Sequence, residues 1–197
     1  MTNNFQKINV RGVDFAAVTP DEATAICTAM LDGDRVCTVF TPNAEIVQLC
    51  VEQPDYYDLY NSGDLVVPDG AGVVKAAKIL GRPLPGKVAG VELGERMLAV
   101  CAARGDGVYF LGAKPGVAEE AAKRMCAKYP GLSVVGTHDG YFKDTQQVVD
   151  AINAAGGADA VFVCLGAPKQ EKFIAANIDD IHGTLFCGLG GSLDVFA

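Results

Sequence analysis

Polar residues that could bind or transform a ligand follow short apolar runs in this sequence. The clearest case is 165–171, Leu-Gly-Ala-Pro-Lys-Gln-Glu, which comes directly after the apolar run 160–164. A buried strand there would end near Gly166, and the next helix would begin with three polar residues, Lys169, Gln170 and Glu171. In a parallel sheet, ligands bind at this end of the strands, because loops converge there and helix N-termini present unpaired N–H groups. A lysine beside a glycine also offers a cation and backbone donors to a phosphate.

Asp69 is the candidate general base. It follows the apolar run 65–67 and precedes Gly70. A partly desolvated carboxylate at a strand end can take a proton from an incoming hydroxyl group. The alternative is a turn aspartate that caps a helix beginning near residue 71. The two interpretations are compatible, because a capping carboxylate is also a fixed one.

Thr41 and Asn43 flank Pro42 after the apolar run 36–40. Asn43 has the residue type and the position of an N-cap for the helix that follows. Its amide could instead bind a sugar hydroxyl or an N-acetyl group, both of which need a neutral donor and acceptor pair. Both roles are open for Asn43.

Two loops of small residues are candidates for phosphate binding. The first begins at Gly112 and reads Gly-Ala-Lys-Pro-Gly, which allows close backbone approach at a helix start. It is neither a Walker motif nor a complete G-x-G-x-x-G, so an ordinary turn between strand and helix is the alternative. The second, 136–141, contains Thr137 and Asp139, and its alternative is a tight Asp-Gly turn.

No metal or other cofactor is expected. Asp32 and Asp34 form a D-x-D pattern, but they fall between a helix and a strand, at the opposite edge of the sheet, and predict a turn. The seven cysteines are odd in number and include no C-x-x-C, which argues against a disulfide framework and against a zinc site.

The elements that must position these residues alternate between strand and helix. A capping box at 19–22, Thr-Pro-Asp-Glu, starts the first helix, and short apolar strands without clean alternation follow at intervals. This pattern predicts an α/β fold with a doubly wound, mostly parallel, Rossmann-like sheet and helices on both faces. Residues 5–15 predict a small hairpin ahead of the sheet. We expect residues 1–197 to form a single domain.

Composition limits the partners. The net charge is −8 and the pI is near 4.7. An acidic chain without a basic stripe repels nucleic acid, so no nucleic-acid partner is expected. No apolar run approaches the ~20 residues that span a bilayer, and the N-terminus lacks a signal-peptide pattern. These features predict a cytoplasmic chain with reduced cysteines.

Six segments, taken in order, closely resemble the WecG/TagA/CpsF glycosyltransferase family from about residue 8 to the end. They are 41–47, 68–74, 87–93, 129–131, 136–142 and 165–172. The resemblance implies transfer of an N-acetylmannosamine-type sugar from a UDP donor to undecaprenyl-diphosphate-linked N-acetylglucosamine, with inversion and without a metal. It implies that Asp69 is the catalytic base and that Thr41, Asn43 and Gln170 occupy active-site positions.

Two departures from the family pattern bear on these expectations. Members usually carry arginine and aspartate where this chain has Lys87 and Glu92. They also continue past the glycine-rich turn 188–192 into an arginine-rich segment, which is thought to close the site and to dock on the inner face of the plasma membrane. We therefore expect weak UDP binding and poor turnover from these 197 residues. A homo-oligomer is an open alternative.

Other functions remain as alternatives. A transferase of the same family could use a derivative such as UDP-N-acetylmannosaminuronic acid. A non-catalytic module that binds a nucleotide sugar is a second alternative. A nicotinamide-dependent oxidoreductase is disfavoured, because no complete G-x-G-x-x-G is followed by an acidic residue ~20 positions later.

Overall fold

A computed structural model describes residues 5–197 of the chain. A two-stranded antiparallel hairpin, β1 (Lys7–Val10) and β2 (Val13–Ala16), precedes a six-stranded sheet in which every neighbouring pair of strands is parallel. The sheet strands are β3 (Cys37–Phe40), β4 (Leu65–Val66), β5 (Gly107–Gly112), β6 (Ser133–His138), β7 (Ala158–Cys164) and β8 (Gly183–Gly188). Their order across the sheet is β4-β3-β8-β7-β5-β6. The predicted fold class and the N-terminal hairpin are confirmed.

The described residues form nine helices. They are α1 (Pro20–Leu31), α2 (Ala44–Glu52), α3 (Tyr56–Asn61), α4 (Ala71–Ile79), α5 (Gly90–Arg104), α6 (Val117–Lys128), α7 (Thr145–Ala154), α8 (Lys169–Asn177) and α9 (Ser192–Phe196). The capping box at the start of α1 is confirmed, since Thr19 Oγ1 accepts from the Glu22 N–H and a Glu22 carboxylate oxygen accepts from the Thr19 N–H. The sequence analysis did not predict α3.

Helices cover both faces of the sheet, as the alternation along β5 demonstrates. Val108 and Phe110 belong to one buried cluster with residues of α1, α5, α6 and α9. Tyr109 and Leu111 belong to a second cluster with residues of α7 and α8. Successive side chains of a strand point to opposite faces, so these two clusters are the two sides of one sheet. A third cluster joins the hairpin to α2, α4 and Tyr60 beside β4.

The loops that follow the central strands of the sheet leave toward opposite faces, and a crevice forms between them. Strands β3, β8, β7 and β5 are neighbours, and they lead into α2, α9, α8 and α6. The helices α2 and α8 both contact α3 on one side, whereas α6 and α9 pack together on the other. Neighbouring strands whose loops leave toward opposite faces create a crevice at their carboxyl ends.

The cysteines lie inside the packed layers. Six of the seven are buried, Cys126 is half-buried, and all are free. Burial raises the pKa of Cys27, Cys101 and Cys164 to about 12, so these thiols stay protonated and pack as small apolar groups. Asp32 and Asp34 lie in the turn between α1 and β3, as predicted. Within residues 5–197, no helix has both the length and the apolar character needed to cross a membrane.

Candidate functional site

Two clefts open side by side at the carboxyl edge of the sheet, and both are lined by Gly190 and Gly191 in the loop after β8. The first, here called the carboxylate cleft, encloses about 440 Å³ and is lined by Thr41, Asn43, Asp69 and Gln170. The second, called the lysine cleft, encloses about 620 Å³ and is lined by Lys114, Gly140, Gly166 and Lys169. Gly190 and Gly191, here called the glycine floor, are the lining residues that the two clefts share.

Asp69 is held in the carboxylate cleft by the first amide of a distant helix. Its Oδ2 accepts from the N–H of Gly90 at 3.3 Å, the first residue of α5. Its own N–H donates to the carbonyl of Pro42 at 3.2 Å, which ties it to the loop after β3. The alternative that Asp69 caps the helix after it is wrong, because the N-cap of α4 is Gly70 and no side chain caps that helix.

The surroundings of Asp69 suit a general base. Burial raises the pKa of the Asp69 carboxyl, while the Gly90 N–H and the Lys87 ammonium oppose that rise and Glu92 adds to it. Lys87 Nζ lies 3.4 Å from Glu92 Oε1, so the two departures from the family pattern fall on the two partners of one ion pair. A carboxylate with a raised pKa is a stronger base than one in water.

Asn43 is the N-cap of α2, as one of its two predicted roles required. Its Oδ1 accepts from the N–H groups of Glu45 and Ile46 at 3.0 and 3.1 Å. Those bonds fix the amide so that the nitrogen is the group left to face the cleft. Asn43 is therefore oriented as a donor, and a ligand that meets it must offer an acceptor.

Thr41 is oriented in the opposite sense. Its hydroxyl donates to the carbonyl of Gly188 at 2.9 Å, at the end of β8. The hydroxyl proton is thus committed to the backbone, and only the oxygen lone pairs are left for a ligand. Thr41 and Asn43 together present one acceptor and one donor beside the Asp69 carboxylate.

Gln170 and Glu171 belong to one buried network beneath the cleft. Gln170 Oε1 accepts from the N–H of Gly190 at 2.9 Å, and Gln170 Nε2 donates to Glu171 Oε1 at 2.9 Å. The Tyr60 hydroxyl donates to Glu171 Oε2 at 3.2 Å. Glu171 is 1 % exposed and lines neither cleft, so its predicted role in direct substrate contact does not match its position. Glu171 instead accepts a hydrogen bond from Gln170, and Gln170 in turn accepts one from the Gly190 N–H in the glycine floor.

This network makes the stability of the protein depend on pH. Burial raises the pKa of Glu171, and its hydrogen bonds to Gln170 and Tyr60 only partly oppose this. The contribution of the Glu171 carboxyl to the free energy of unfolding is therefore complete below its unfolded-state pKa. It is lost as pH rises through its folded-state pKa. We expect Glu171→Gln to gain stability relative to the wild type as pH rises from about 4 to 7, by about 1.4 kcal/mol per unit of pKa difference.

Urea unfolding of the wild type and Glu171→Gln at several pH values measures this effect. The matched control is Glu119→Gln, because Glu119 is exposed on α6. A stability difference between wild type and Glu171→Gln that is constant with pH would contradict the assignment.

Lys169 is fixed at the mouth of the lysine cleft. Its Nζ donates to the carbonyl of Gly140 at 2.8 Å and lies 4.8 Å from the centroid of the Phe142 ring. An ammonium group has three donors, so two N–H groups are left to meet an anion. Lys114, Gly166 and Asp194 line the same cleft. The cleft thus presents two ammonium groups and one carboxylate.

Besides Glu171, three residues predicted to bind substrate line neither cleft: Gly112, Thr137 and Asp139. Gly112 is buried with a φ of +138°, and a Cβ there would lie 2.5 Å from the carbonyl carbon of Cys164. Its small size allows β5 and β7 to pack closely. The Thr137 carbonyl accepts from the Tyr109 hydroxyl, and Asp139 Oδ1 accepts from the Tyr141 N–H at 2.7 Å, which is the tight-turn alternative.

The sequence analysis missed several lining residues. Gly190 and Gly191 touch both clefts, and Asp194 lines the lysine cleft. Lys114, which also lines the lysine cleft, belongs to the loop predicted to bind phosphate. The signal was present, since a Gly-Leu-Gly-Gly-Ser run follows an apolar strand. Its members were not assigned, because a glycine has no side chain whose chemistry would single it out. Within the described part of the chain, no group of three or more His, Cys, Asp or Glu residues is placed to hold a metal ion.

Comparison with known proteins identifies the family of the chain. Residues 8–197 match the model of the glycosyl transferase WecG/TagA/CpsF family. The chain is 38% identical over 170 residues to an N-acetylglucosaminyldiphosphoundecaprenol N-acetyl-beta-D-mannosaminyltransferase of Bacillus spizizenii, covering 86% of this chain and 66% of the relative. It is 33% identical over 198 residues to the protein of the same name in Staphylococcus aureus, covering 99% of this chain and 77% of the relative. The chain thus spans just under two thirds of the length of the Bacillus relative.

Proposed function

The chain belongs to the WecG/TagA/CpsF family of glycosyl transferases, and we propose that it moves N-acetylmannosamine from UDP-N-acetylmannosamine to undecaprenyl-diphosphate-linked N-acetylglucosamine. The names of the relatives support the transferred sugar and the acceptor. The observation that carries the proposal is the Asp69 carboxylate, half-buried and held by the Gly90 amide in a cleft that also presents a fixed amide donor and a fixed hydroxyl acceptor.

The reaction is a single displacement. The acceptor hydroxyl gives its proton to the Asp69 carboxylate as its oxygen forms a bond to the anomeric carbon of the donor, and the bond from that carbon to UDP breaks. Direct attack on an α-linked UDP-sugar gives a β-linked product, which is the anomer named for the relatives. Inversion follows from this one-step geometry.

The polar groups of the carboxylate cleft suit an N-acetylated sugar. Asn43 offers an N–H, which can donate to the acetamide carbonyl or to a ring hydroxyl. Thr41 offers an acceptor, which can receive a proton from a sugar hydroxyl or from the acetamide N–H. Gln170 acts on the sugar mainly through Gly190, since its amide oxygen is committed to that backbone N–H.

The departing diphosphate fits the two lysines of the lysine cleft, Lys169 and Lys114. The N-terminus of α8, which begins at Lys169, has no side-chain cap. Positive charge at this position stabilises the negative charge that develops on UDP as the bond breaks. The UDP-sugar is a substrate, and the chemistry proposed for these residues needs no further cofactor.

Lys169→Met is expected to weaken UDP binding about tenfold, because one charge-assisted hydrogen bond contributes about 1.5 kcal/mol. Titration calorimetry with UDP measures this change. Lys172→Met is a matched control: Lys172 lies on the same helix, bonds the Tyr56 hydroxyl at 2.8 Å and sits 4.8 Å from that ring, but it lines neither cleft. Equal losses in both variants would contradict the assignment of the lysine cleft to UDP.

A donor screen tests the proposed reaction. The protein is incubated with a short-chain lipid-diphosphate-N-acetylglucosamine and with UDP-N-acetylmannosamine, its uronic acid derivative or UDP-N-acetylglucosamine, and released UDP and disaccharide are measured. Transfer from UDP-N-acetylmannosamine alone supports the proposal. Preference for the uronic acid favours the alternative donor, and UDP binding without transfer favours a non-catalytic module.

A further inference from the structure

An excursion of the chain, residues 71–89, leaves the carboxylate cleft and returns to it. It consists of α4 and the loop that follows, and both of its ends are bonded beside the catalytic carboxylate. Asp69 immediately precedes it, and at its far end Val88 N–H donates to the Pro68 carbonyl at 2.9 Å while Gly90 N–H donates to Asp69 Oδ2 at 3.3 Å. Any surface that residues 71–89 contact is therefore contacted by a segment whose two ends are hydrogen-bonded beside Asp69.

The tip of the excursion exposes large apolar side chains that nothing covers. Ile79 is 84 % exposed and Leu80 is 50 % exposed. Other apolar side chains of α4 are not exposed: Val73 and Ala77 are buried in the cluster that joins the hairpin to α4. Two adjacent exposed aliphatic residues at one tip contribute nothing to the core, so the fold itself does not account for them.

The same excursion concentrates positive charge. Residues 71–89 contain Lys75, Lys78, Arg82 and Lys87, four of the sixteen basic residues, and none of the twenty-four acidic ones. All four are exposed. Lys87 is paired with Glu92, whereas no salt bridge to Lys75, Lys78 or Arg82 is formed within the part of the chain that the structure describes. In a chain of net charge −8, this is a local reversal of sign.

We propose that the tip of this excursion docks on an anionic phospholipid surface, with Ile79 and Leu80 entering the interface and Lys75, Lys78 and Arg82 meeting lipid phosphates. Exposed aliphatic side chains flanked by lysine and arginine are the composition that binds at a bilayer interface. The inference rests on the proposed function, because a lipid-linked acceptor must be reached at the membrane. A second copy of this chain is the less suitable occupant, since a twofold contact would oppose the same cations to each other.

The position of the surface gives it a role in the reaction. The nine residues of α4 span about 13 Å at 1.5 Å per residue, so the docking tip is one short helix away from the base. A protein held by this tip keeps Asp69 close to the lipid headgroups. Docking is expected to favour acceptors anchored in a bilayer and to leave the chemistry on a soluble acceptor unchanged.

Vesicle sedimentation tests the surface without requiring any transfer. Phosphatidylglycerol–phosphatidylcholine vesicles are compared with phosphatidylcholine vesicles at low salt. We expect Lys75→Glu/Lys78→Glu to weaken binding to the anionic vesicles by thirtyfold or more, since each lysine near such a surface is worth about fivefold. Lys123→Glu/Lys172→Glu changes the net charge equally on exposed residues elsewhere and is expected to weaken binding far less.

A second variant separates insertion from charge attraction. Ile79→Ser/Leu80→Ser is expected to abolish the part of the binding that persists at high salt, and the exposure of both side chains means that the fold should tolerate it. With a soluble acceptor, transfer by both excursion variants should equal the wild type, and with a bilayer-embedded acceptor it should fall.

Three results would overturn the proposal: no binding to anionic vesicles, equal binding by the excursion variants and the wild type, or a change of oligomeric state by Ile79→Ser/Leu80→Ser in gel filtration. The failure of the proposed function would look different. In that case anionic vesicles would be bound through the excursion, but no sugar would be transferred to either acceptor.

Discussion

Replacing Asp69 with asparagine is expected to lower the transferase kcat by about 10²- to 10⁴-fold, the usual contribution of a general base. The amide cannot take the proton of the acceptor hydroxyl. Its oxygen can still accept from the Gly90 N–H, so the start of α5 stays tied to the loop after β4. The loss should therefore appear in kcat with little change in the affinity for UDP, measured by initial rates and by calorimetry on the same preparation.

Asp179→Asn is the control for this substitution. Asp179 is an exposed carboxylate between α8 and β8 and lines neither cleft. We expect its kcat to equal that of the wild type. If Asp69→Asn binds UDP and turns over at the wild-type rate, then Asp69 is not the base and the proposed mechanism fails.

The pH dependence of kcat/KM provides a second measure of the same group. A base must be ionised, so the rate should fall as pH decreases through the pKa of Asp69. Burial raises that pKa, which moves the acidic limb to higher pH than for an aspartate in water. Lys87→Met removes a cation and should move the limb to higher pH, whereas Glu92→Gln removes an anion and should move it to lower pH. Shifts in the same direction would contradict this electrostatic account.

Gly112→Ala is expected to cost about 2–6 kcal/mol of unfolding free energy. Two effects combine: a φ of +138° that residues other than glycine adopt only at a cost of about 1–3 kcal/mol, and an overlap with the Cys164 backbone that costs about 1–3 kcal/mol. Neither partner can move easily, because Gly112 and Cys164 end two hydrogen-bonded central strands. The midpoint of urea unfolding measures the loss.

Gly105→Ala isolates the backbone effect from the overlap. Gly105 ends α5 with a φ of +80°, and a Cβ there has no atom within 4 Å. Its cost should be about 1 kcal/mol, that of a left-handed conformation alone. Similar losses in the two variants would mean that the packing of β5 against β7 does not explain Gly112, and that its predicted contact with substrate deserves a direct test.

Local sequence signals predicted those parts of the site that depend on neighbouring residues. The N-cap at Asn43 and the capping box at Thr19 are confirmed, because a cap is decided within about four residues. The parallel sheet is confirmed for a similar reason, since short apolar strands alternating with helices leave few other arrangements. The prediction that the polar loops meet at one edge followed from that topology, and Thr41, Asn43, Asp69 and Gln170 do line one cleft.

Contacts between distant parts of the chain could not be predicted in this way. The residues around Asp69 also allow it to cap α4, but its carboxylate bonds the start of α5, 21 residues later. Lys169, Gln170 and Glu171 are consecutive in the sequence, but successive residues of a helix face different directions. Lys169 therefore faces the lysine cleft, Gln170 faces Gly190, and Glu171 faces Tyr60 in the interior.

The sequence by itself determined the alternation of strands and helices and the caps at Thr19 and Asn43, because these depend on the residue types within one or two turns of chain. The edge at which the polar loops gather followed from the parallel topology that this alternation implies. Only the tertiary structure decided which of those polar groups face a ligand and which are committed to the backbone. Hydrogen-bond partners and burial set the direction of Thr41 and the raised pKa of Asp69, and these come from residues far apart in the sequence. Asn43, by contrast, is oriented by its own local cap. A local sequence pattern does not specify contacts between residues that are far apart in the sequence.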